Sequence, residues 1–271
     1  MTEPILPPVV LTIAGLDPSG GAGILADIKT ISAFGGYGVA AVTSLTFQNS
    51  HGVYGTLDQS GDTIRRQIEP LLEDFEIAAI KTGMLPSAQL IRDVATMIER
   101  AGVPIVVVDP VLRSSSGFDL VDDQAVGALK SCLFPVAGLI TPNVAEAGRI
   151  TGIDIRNQTE MERAAAFLLE LGAKAVLITG GDANSAFSED LLFDEQGTTG
   201  YRAERIRSKH THGTGCTLAS GLACLMAQGR SLRESIPIVK RYINSAILSA
   251  PALGHGAGPL NHFPPGFEIE D

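Results

Sequence analysis

The chain has 271 residues, 45% of them apolar and 18% charged, with a formal net charge of −10. That composition supplies a sizeable core and argues against intrinsic disorder, while the acidic balance and the lack of any Lys/Arg run argue against a nucleic-acid partner. No apolar run reaches membrane-spanning length, MTEPILPPVV lacks the flank of a signal peptide, and Cys132, Cys216 and Cys224 show no metal-ligand spacing, so a reduced, cytoplasmic protein is expected.

Strand-like and helical patterns alternate along the chain. Val9–Ala14 reads as a buried strand, and Gly20–Phe34 as a helix with Ile24, Ile28 and Ile31 on one face. Val39–Thr46 is the second strand, Asp62–Leu72 the next helix and Ile77–Lys81 a third strand. Gln89–Arg100 is helical, and Pro104–Asp109 (PIVVVD) is an apolar run closing on a carboxylate. Strand Leu139–Thr141, helix Met161–Leu171 and strand Ala175–Thr179 come next. Residues 190–206 read as two short strands around a Gly-containing turn, an antiparallel edge hairpin. Helices Cys216–Gln228 and Leu232–Ser249 lead into a Gly/Pro-rich tail. Continuous apolar strands imply burial on both faces, hence an α/β fold with a central, mostly parallel sheet flanked by helices on both faces. No linker or repeat interrupts residues 1–271, and a single domain is expected.

In such a sheet the ligand-binding residues lie beyond the carboxyl ends of the strands. The segments there are GLDPSGGAG from Gly15, QNSHG (48–52), TGM (82–84), DPVLRSSSG (109–117), TPNVAEA (141–147), TGGD (179–182) and HTHGTGC (210–216). All are rich in Gly, Ser, Thr, Asn or Asp, which points to a polar small-molecule site.

The first of these starts like a Walker A loop, but Gly21 and Ala22 stand where Lys and Ser/Thr are required. Gly21–Ala26 fits the G-x-G-x-x-A dinucleotide fingerprint, yet the second strand ends in Phe47-Gln48-Asn49, without the ribose-binding acid. A dehydrogenase is therefore disfavoured, and the glycines also suit simple tight helix–strand packing. The last segment is more informative. Gly213-Thr214-Gly215-Cys216 opens an apolar helix with consecutive small residues, a backbone N–H nest suited to a transferring phosphoryl group. Cys216 falls in the first helical turn, where the dipole is expected to lower a thiol's pKa towards that of a working base. Cys224, two turns further on, reads as a buried hydrophobe.

GLDPSGGAGILADIKT, DPV at 109–111, TPNVAEA, HTHGTGCTLASG at 210–221 and the tail GHGAGPLNHF, in that order, resemble the ribokinase superfamily. Within it they resemble the hydroxymethylpyrimidine/phosphomethylpyrimidine kinases of thiamine biosynthesis. The resemblance implies a ribokinase-like fold and a homodimer. It also implies an activity: ATP, with Mg²⁺, phosphorylates 4-amino-5-hydroxymethyl-2-methylpyrimidine to its monophosphate and then to the pyrophosphate. The opening loop would then lie over the pyrimidine as a lid, and the GTGC loop would form the anion hole. By the same resemblance Cys216, Gly213 and Gly215 are catalytic, and Gly15, Asp27, Gln48, Met84 and Val111 bind substrate. Asn143, Thr179, Gly181, Gly213 and Thr214 would contact ATP, and Asp109 and Glu146 would handle Mg²⁺.

The residue chemistry agrees with those assignments. The Gln48 carboxamide can pair an exocyclic amine and a ring nitrogen, and Met84 and Val111 offer an apolar slot. Asp109, at the end of the most apolar strand, would be costly without a cation or ligand. Asn143 and Glu146 also fit a plain helix-capping pair. Thr179 departs from the pattern, since relatives commonly carry Lys there, and Thr cannot neutralise a phosphate. Three competing readings remain: a pyridoxal/pyridoxine kinase, whose loop commonly carries Asp in place of Cys216, a dual-specificity kinase that accepts both substrates, and a catalytically silent nucleotide-binding protein.

Overall fold

The computed structural model describes residues 6–114, 116–180 and 186–269. Strands β1 (Val9–Leu16), β2 (Tyr37–Asn49), β4 (Ile77–Thr82), β5 (Ile105–Val108), β6 (Leu139–Ile140) and β7 (Val176–Ile178) pair in parallel. Antiparallel strands close both edges: β3 (Gly52–Asp58) beside β2, then β8 (Phe187–Asp194) and β9 (Gly197–Glu204) beyond β7. The nine strands run in the order β3-β2-β1-β4-β5-β6-β7-β8-β9. The helices are α1 (Gly23–Ala33), α2 (Gly61–Asp74), α3 (Ala88–Ala101), α4 (Asp123–Ala128), α5 (Val144–Thr151), α6 (Gln158–Glu170), α7 (Thr214–Ala227) and α8 (Leu232–Leu248).

The sheet is buried on both faces, as its continuous apolar runs require. Leu11, Ile13, Ile80, Val106, Val108 and Ile140 face one core, with α2, α3 and α6. Val10, Ala79, Val107, Leu139 and Leu177 face the other, filled by α7 and α8. Side chains alternate along a strand with period 2, so the next residue on that second face lies two positions further on. Those residues are Thr12, Lys81, Asp109, Thr141 and Thr179. A polar row therefore crosses the carboxyl edge of the sheet, directly in front of α7.

Most expected elements form, including the edge hairpin at 190–206. Three depart from the sequence expectation. QNSHG is not a loop leading to a helix but the bend of the β2–β3 hairpin, Gln48 and Asn49 ending β2 and Gly52 opening β3, a strand broken by glycines and so without a clear alternation. Helices α4 and α5 are short, six and eight residues, too brief for a recognisable period. Among the described residues no helix is long and apolar enough to cross a membrane.

Candidate active site

All seven polar segments send at least one residue to a single cavity of about 490 Å³ at the carboxyl edge of the sheet. That volume lies in the ordinary range for small-molecule sites. Gly15, Gln48, Met84 and Val111 line it, as do Asn143, Thr179, Gly213, Thr214, Gly215, Cys216, Asp109 and Glu146. Gly181 lies outside the described residues.

The floor is the start of α7. Its N-cap, Gly213, has φ 91° and supplies no side-chain cap; Thr214 N donates to the Thr211 carbonyl at 3.3 Å, and Gly215 and Cys216, next in the first turn, line the cavity. Only glycine fits at Gly213: a Cβ would stand 1.9 Å from the Gly21 carbonyl oxygen. The opening loop is thus packed directly against the α7 loop. Asp17, missed in the sequence, ties the two. It is 2% exposed and accepts from Ser19 N at 2.8 Å, Ala22 N at 2.9 Å and His212 Nε2 at 2.8 Å. Burial opposes its ionisation, but the bonds from His212, Ser19 and Gln48 outweigh that and hold the carboxyl well below its usual range.

Asp109 sits beside Gly215, where a Cβ would lie 3.8 Å from its Oδ2. Among the described residues that oxygen is buried without a hydrogen-bond partner, and so is Thr141 Oγ1, just past the end of neighbouring β6. Lys81 Nζ stands 4.0 Å from Asp109 Oδ2. Burial raises the Asp109 pKa, Lys81 and a hydrogen bond with Cys216 oppose the rise, and Asp27 adds to it. Glu146 is raised too, by burial and then by the charge of Asp109. Two carboxylates that burial and mutual repulsion both disfavour, one with an orphan oxygen, fit a divalent cation. Mg²⁺ needs only one or two protein carboxylates, with waters and phosphates completing its shell. Among the described residues no group of three or more His, Cys, Asp or Glu is arranged to hold a metal by itself.

Glu146 and Asn143 also form the capping box that the sequence left open. Asn143 Oδ1 accepts from Glu146 N at 2.9 Å, and Glu146 Oε2 accepts from Asn143 N at 3.0 Å. Leu112 N donates to Glu146 Oε1 at 3.4 Å, linking α5 to the loop after β5. Capping does not remove either residue from the cavity wall. Thr179 bridges Asn143 through backbone pairing, at the end of β7.

Two expectations are corrected. Asp27 does not reach the cavity, nor does it face solvent: it is 0% exposed, with Lys81 on both oxygens at 2.9 Å, Thr12 Oγ1 at 2.5 Å and Ser220 Oγ at 2.7 Å. The Cys216 thiol is not lowered by its place at the helix start. Burial pushes it up to about 12; Lys81 opposes this, Asp27 and Asp109 reinforce it, and the Gly23 backbone opposes it again. Cys224 is a fully buried member of the α7 core, in line with its sequence context. Arg113 and Arg149 also line the cavity and were not foreseen; both are held by the exposed Asp119.

Comparison with known proteins agrees with this geometry. Residues 17–261 match the phosphomethylpyrimidine kinase family. The chain is 44% identical to the thiamine biosynthesis bifunctional protein ThiED of Geobacter sulfurreducens, over 97% of this chain but 54% of that protein. It is 41% identical to the hydroxymethylpyrimidine/phosphomethylpyrimidine kinase of Streptomyces coelicolor, over 96% of both chains. The fold superposes on the pyridoxal kinase of Staphylococcus aureus in complex with pyridoxal with a TM-score of 0.87 and 31% identity, covering 96% of this chain and 95% of that one. A mostly parallel, helix-covered sheet with antiparallel edges is the ribokinase-like architecture of these relatives, and the chain belongs to the phosphomethylpyrimidine kinase family.

Proposed function

We propose that the chain uses ATP to phosphorylate the hydroxymethyl group of 4-amino-5-hydroxymethyl-2-methylpyrimidine, and then the resulting monophosphate, in thiamine biosynthesis. The observation that carries this is one cavity whose ends differ in chemistry. The uncapped start of α7, beside Asp109 and Cys216, suits a transferring phosphoryl group, while Gln48, Met84 and Val111 suit an aminopyrimidine. The Gln48 carboxamide would read the amine and ring nitrogen, with Gly15 and Met84 against the ring. Asn143, Thr179, Gly213 and Thr214 would face the nucleotide.

Phosphoryl transfer is mainly positioning and charge stabilisation, with a group to take the proton of the attacking hydroxyl. A thiol that burial pushes above its ordinary range is not a free base at neutral pH. The place of Cys216 in the cavity beside the start of α7 allows a route that forms no free thiolate. Sγ would take the hydroxyl proton while its own proton passes to an oxygen of the transferred phosphoryl group, so the proton is accounted for and Asp109 stays ionised. Asp109, through its unpartnered oxygen, and Glu146 would hold Mg²⁺, which neutralises nucleotide phosphates when bound.

A kinase of this kind would act in the cytoplasm. Phe47 and Leu57, each 54% exposed on one face of the β2–β3 hairpin, favour a homodimer through that edge, which light scattering would test. The second reading, a pyridoxal kinase, is favoured by the overlap with the S. aureus enzyme. A coupled ADP-release assay decides. Turnover of both pyrimidine alcohol and monophosphate, well above that of pyridoxal, is expected; turnover of pyridoxal alone would reverse the assignment.

A further inference from the structure

Lys81 closes β4 much as Asp109 closes β5, and its side chain is wholly buried. Asp27 holds the ammonium on both carboxylate oxygens, and Thr12 and Ser220 occupy what is left of Asp27. None of these four residues lines the cavity. Towards the cavity Nζ approaches Asp109 Oδ2 at 4.0 Å, an oxygen buried without a hydrogen-bond partner among the described residues. Room for the ammonium is kept by Gly83, where a Cβ would stand 2.9 Å from Nζ. Stability alone does not account for such an arrangement, because apolar groups of like volume commonly replace a buried ion pair without loss. Position does. The charge lies directly behind the point where Asp109, Glu146 and an incoming phosphate bring negative charges together in a buried setting, where their repulsion is least screened.

We propose that Lys81, anchored by Asp27, is a positioning residue that holds the Asp109 carboxylate against the start of α7 and offsets the negative charge gathered there. The proposal rests on the reading of this end of the cavity as the phosphoryl-transfer site. Lys81 touches neither substrate nor nucleotide; its effect passes through Asp109.

Lys81→Met alone leaves Asp27 buried and unpaired, so its melting temperature should fall. The Lys81→Met/Asp27→Asn double variant removes both charges and should melt cooperatively. A residue with a merely structural role would then give back full activity. Instead, kcat of the double variant is expected to be lower than wild type by about tenfold or more, with KM for ATP and for the pyrimidine alcohol within about threefold. A smaller loss in kcat, or a loss confined to KM, would overturn the proposal. Asp109→Asn and Cys216→Ala, assayed beside it, separate the two levels. If both keep wild-type kcat, the reading of the site fails; if they lose activity and the double variant does not, the Lys81 proposal alone fails.

Discussion

Asp17 Oδ2 accepts a hydrogen bond from His212 Nε2 at 2.8 Å, between residues 195 positions apart in sequence. The opening loop and the α7 loop, which hold the two glycine motifs of the chain, are thereby one structure. Two close approaches enforce it: a Cβ at Gly213 would meet the Gly21 carbonyl oxygen at 1.9 Å, and one at Gly21 the His212 ring at 2.5 Å.

Asp17→Ala removes the acceptor of His212, Ser19 N and Ala22 N together. A loss of about 2–3 kcal/mol in unfolding free energy is expected, with a raised KM for the pyrimidine, because the loop no longer holds its place over the cavity. Urea unfolding and steady-state kinetics check both. Unchanged stability and KM would mean that the glycine packing alone fixes the loop.

Gln48→Leu leaves the polar edge of a bound aminopyrimidine unpaired, which costs roughly 1–3 kcal/mol of binding. KM for the pyrimidine alcohol should rise about 5- to 150-fold, while KM for ATP stays near wild type. Equal KM values for the alcohol in both proteins would remove Gln48 from substrate recognition.

Glu146→Gln separates capping from cation binding. Gln serves in the third position of a capping box as Glu does, so the melting temperature should barely change. The Mg²⁺ concentration for half-maximal activity should rise about tenfold, since one carboxylate is lost. An unchanged melting temperature together with a wild-type Mg²⁺ requirement would make Glu146 a capping residue only.

His262, 4% exposed, gives a pH-dependent stability of definite sign. Burial, then the charge of Lys29, lowers its pKa from 6.5 to about 4, with Asp27 opposing. The unfolded chain takes up a proton near 6.5 and the folded chain does not until about 4, so this contribution is full above 6.5 and is lost as pH falls towards 4. The loss amounts to about 3 kcal/mol at most. Melting curves of wild type and His262→Gln between neutral pH and 4.5 should converge as pH falls; parallel curves would contradict it.

Much of the fold and the site is legible in the sequence, because strand ends in a parallel sheet announce their own chemistry. The rule that singles out Asp109, a charge closing an apolar strand, applies equally to Lys81 in IAAIKT, where it goes unnoticed in an ordinary-looking strand end. Asp27 is misplaced because a helical carboxylate has no sequence mark that tells a substrate ligand from the partner of a buried lysine 54 residues away. The Cys216 thiol shifts opposite to expectation for a related reason. A helix start is visible in a sequence, whereas burial and the flanking charges of Asp27 and Asp109 are products of the tertiary fold. Asp17 lies in plain sight within GLDPSGGAG, but its partner His212 can be named only once the two loops are seen together.

The central claim is that phosphoryl transfer takes place at the start of α7 with Cys216 taking part in the proton movement. Single-turnover phosphorylation of the pyrimidine alcohol by Cys216→Ala, at saturating Mg·ATP, tests it most directly. Proton-transfer assistance is worth about 10²–10⁴-fold, so a loss of that order is expected, with nucleotide affinity nearly intact because the backbone of the loop is unchanged. Cys216→Ser, whose hydroxyl can still relay a proton, should lie between wild type and Cys216→Ala. A Cys216→Ala rate within about threefold of wild type, roughly 0.6 kcal/mol of barrier, would contradict the claim and leave the loop as a donor of backbone N–H groups only.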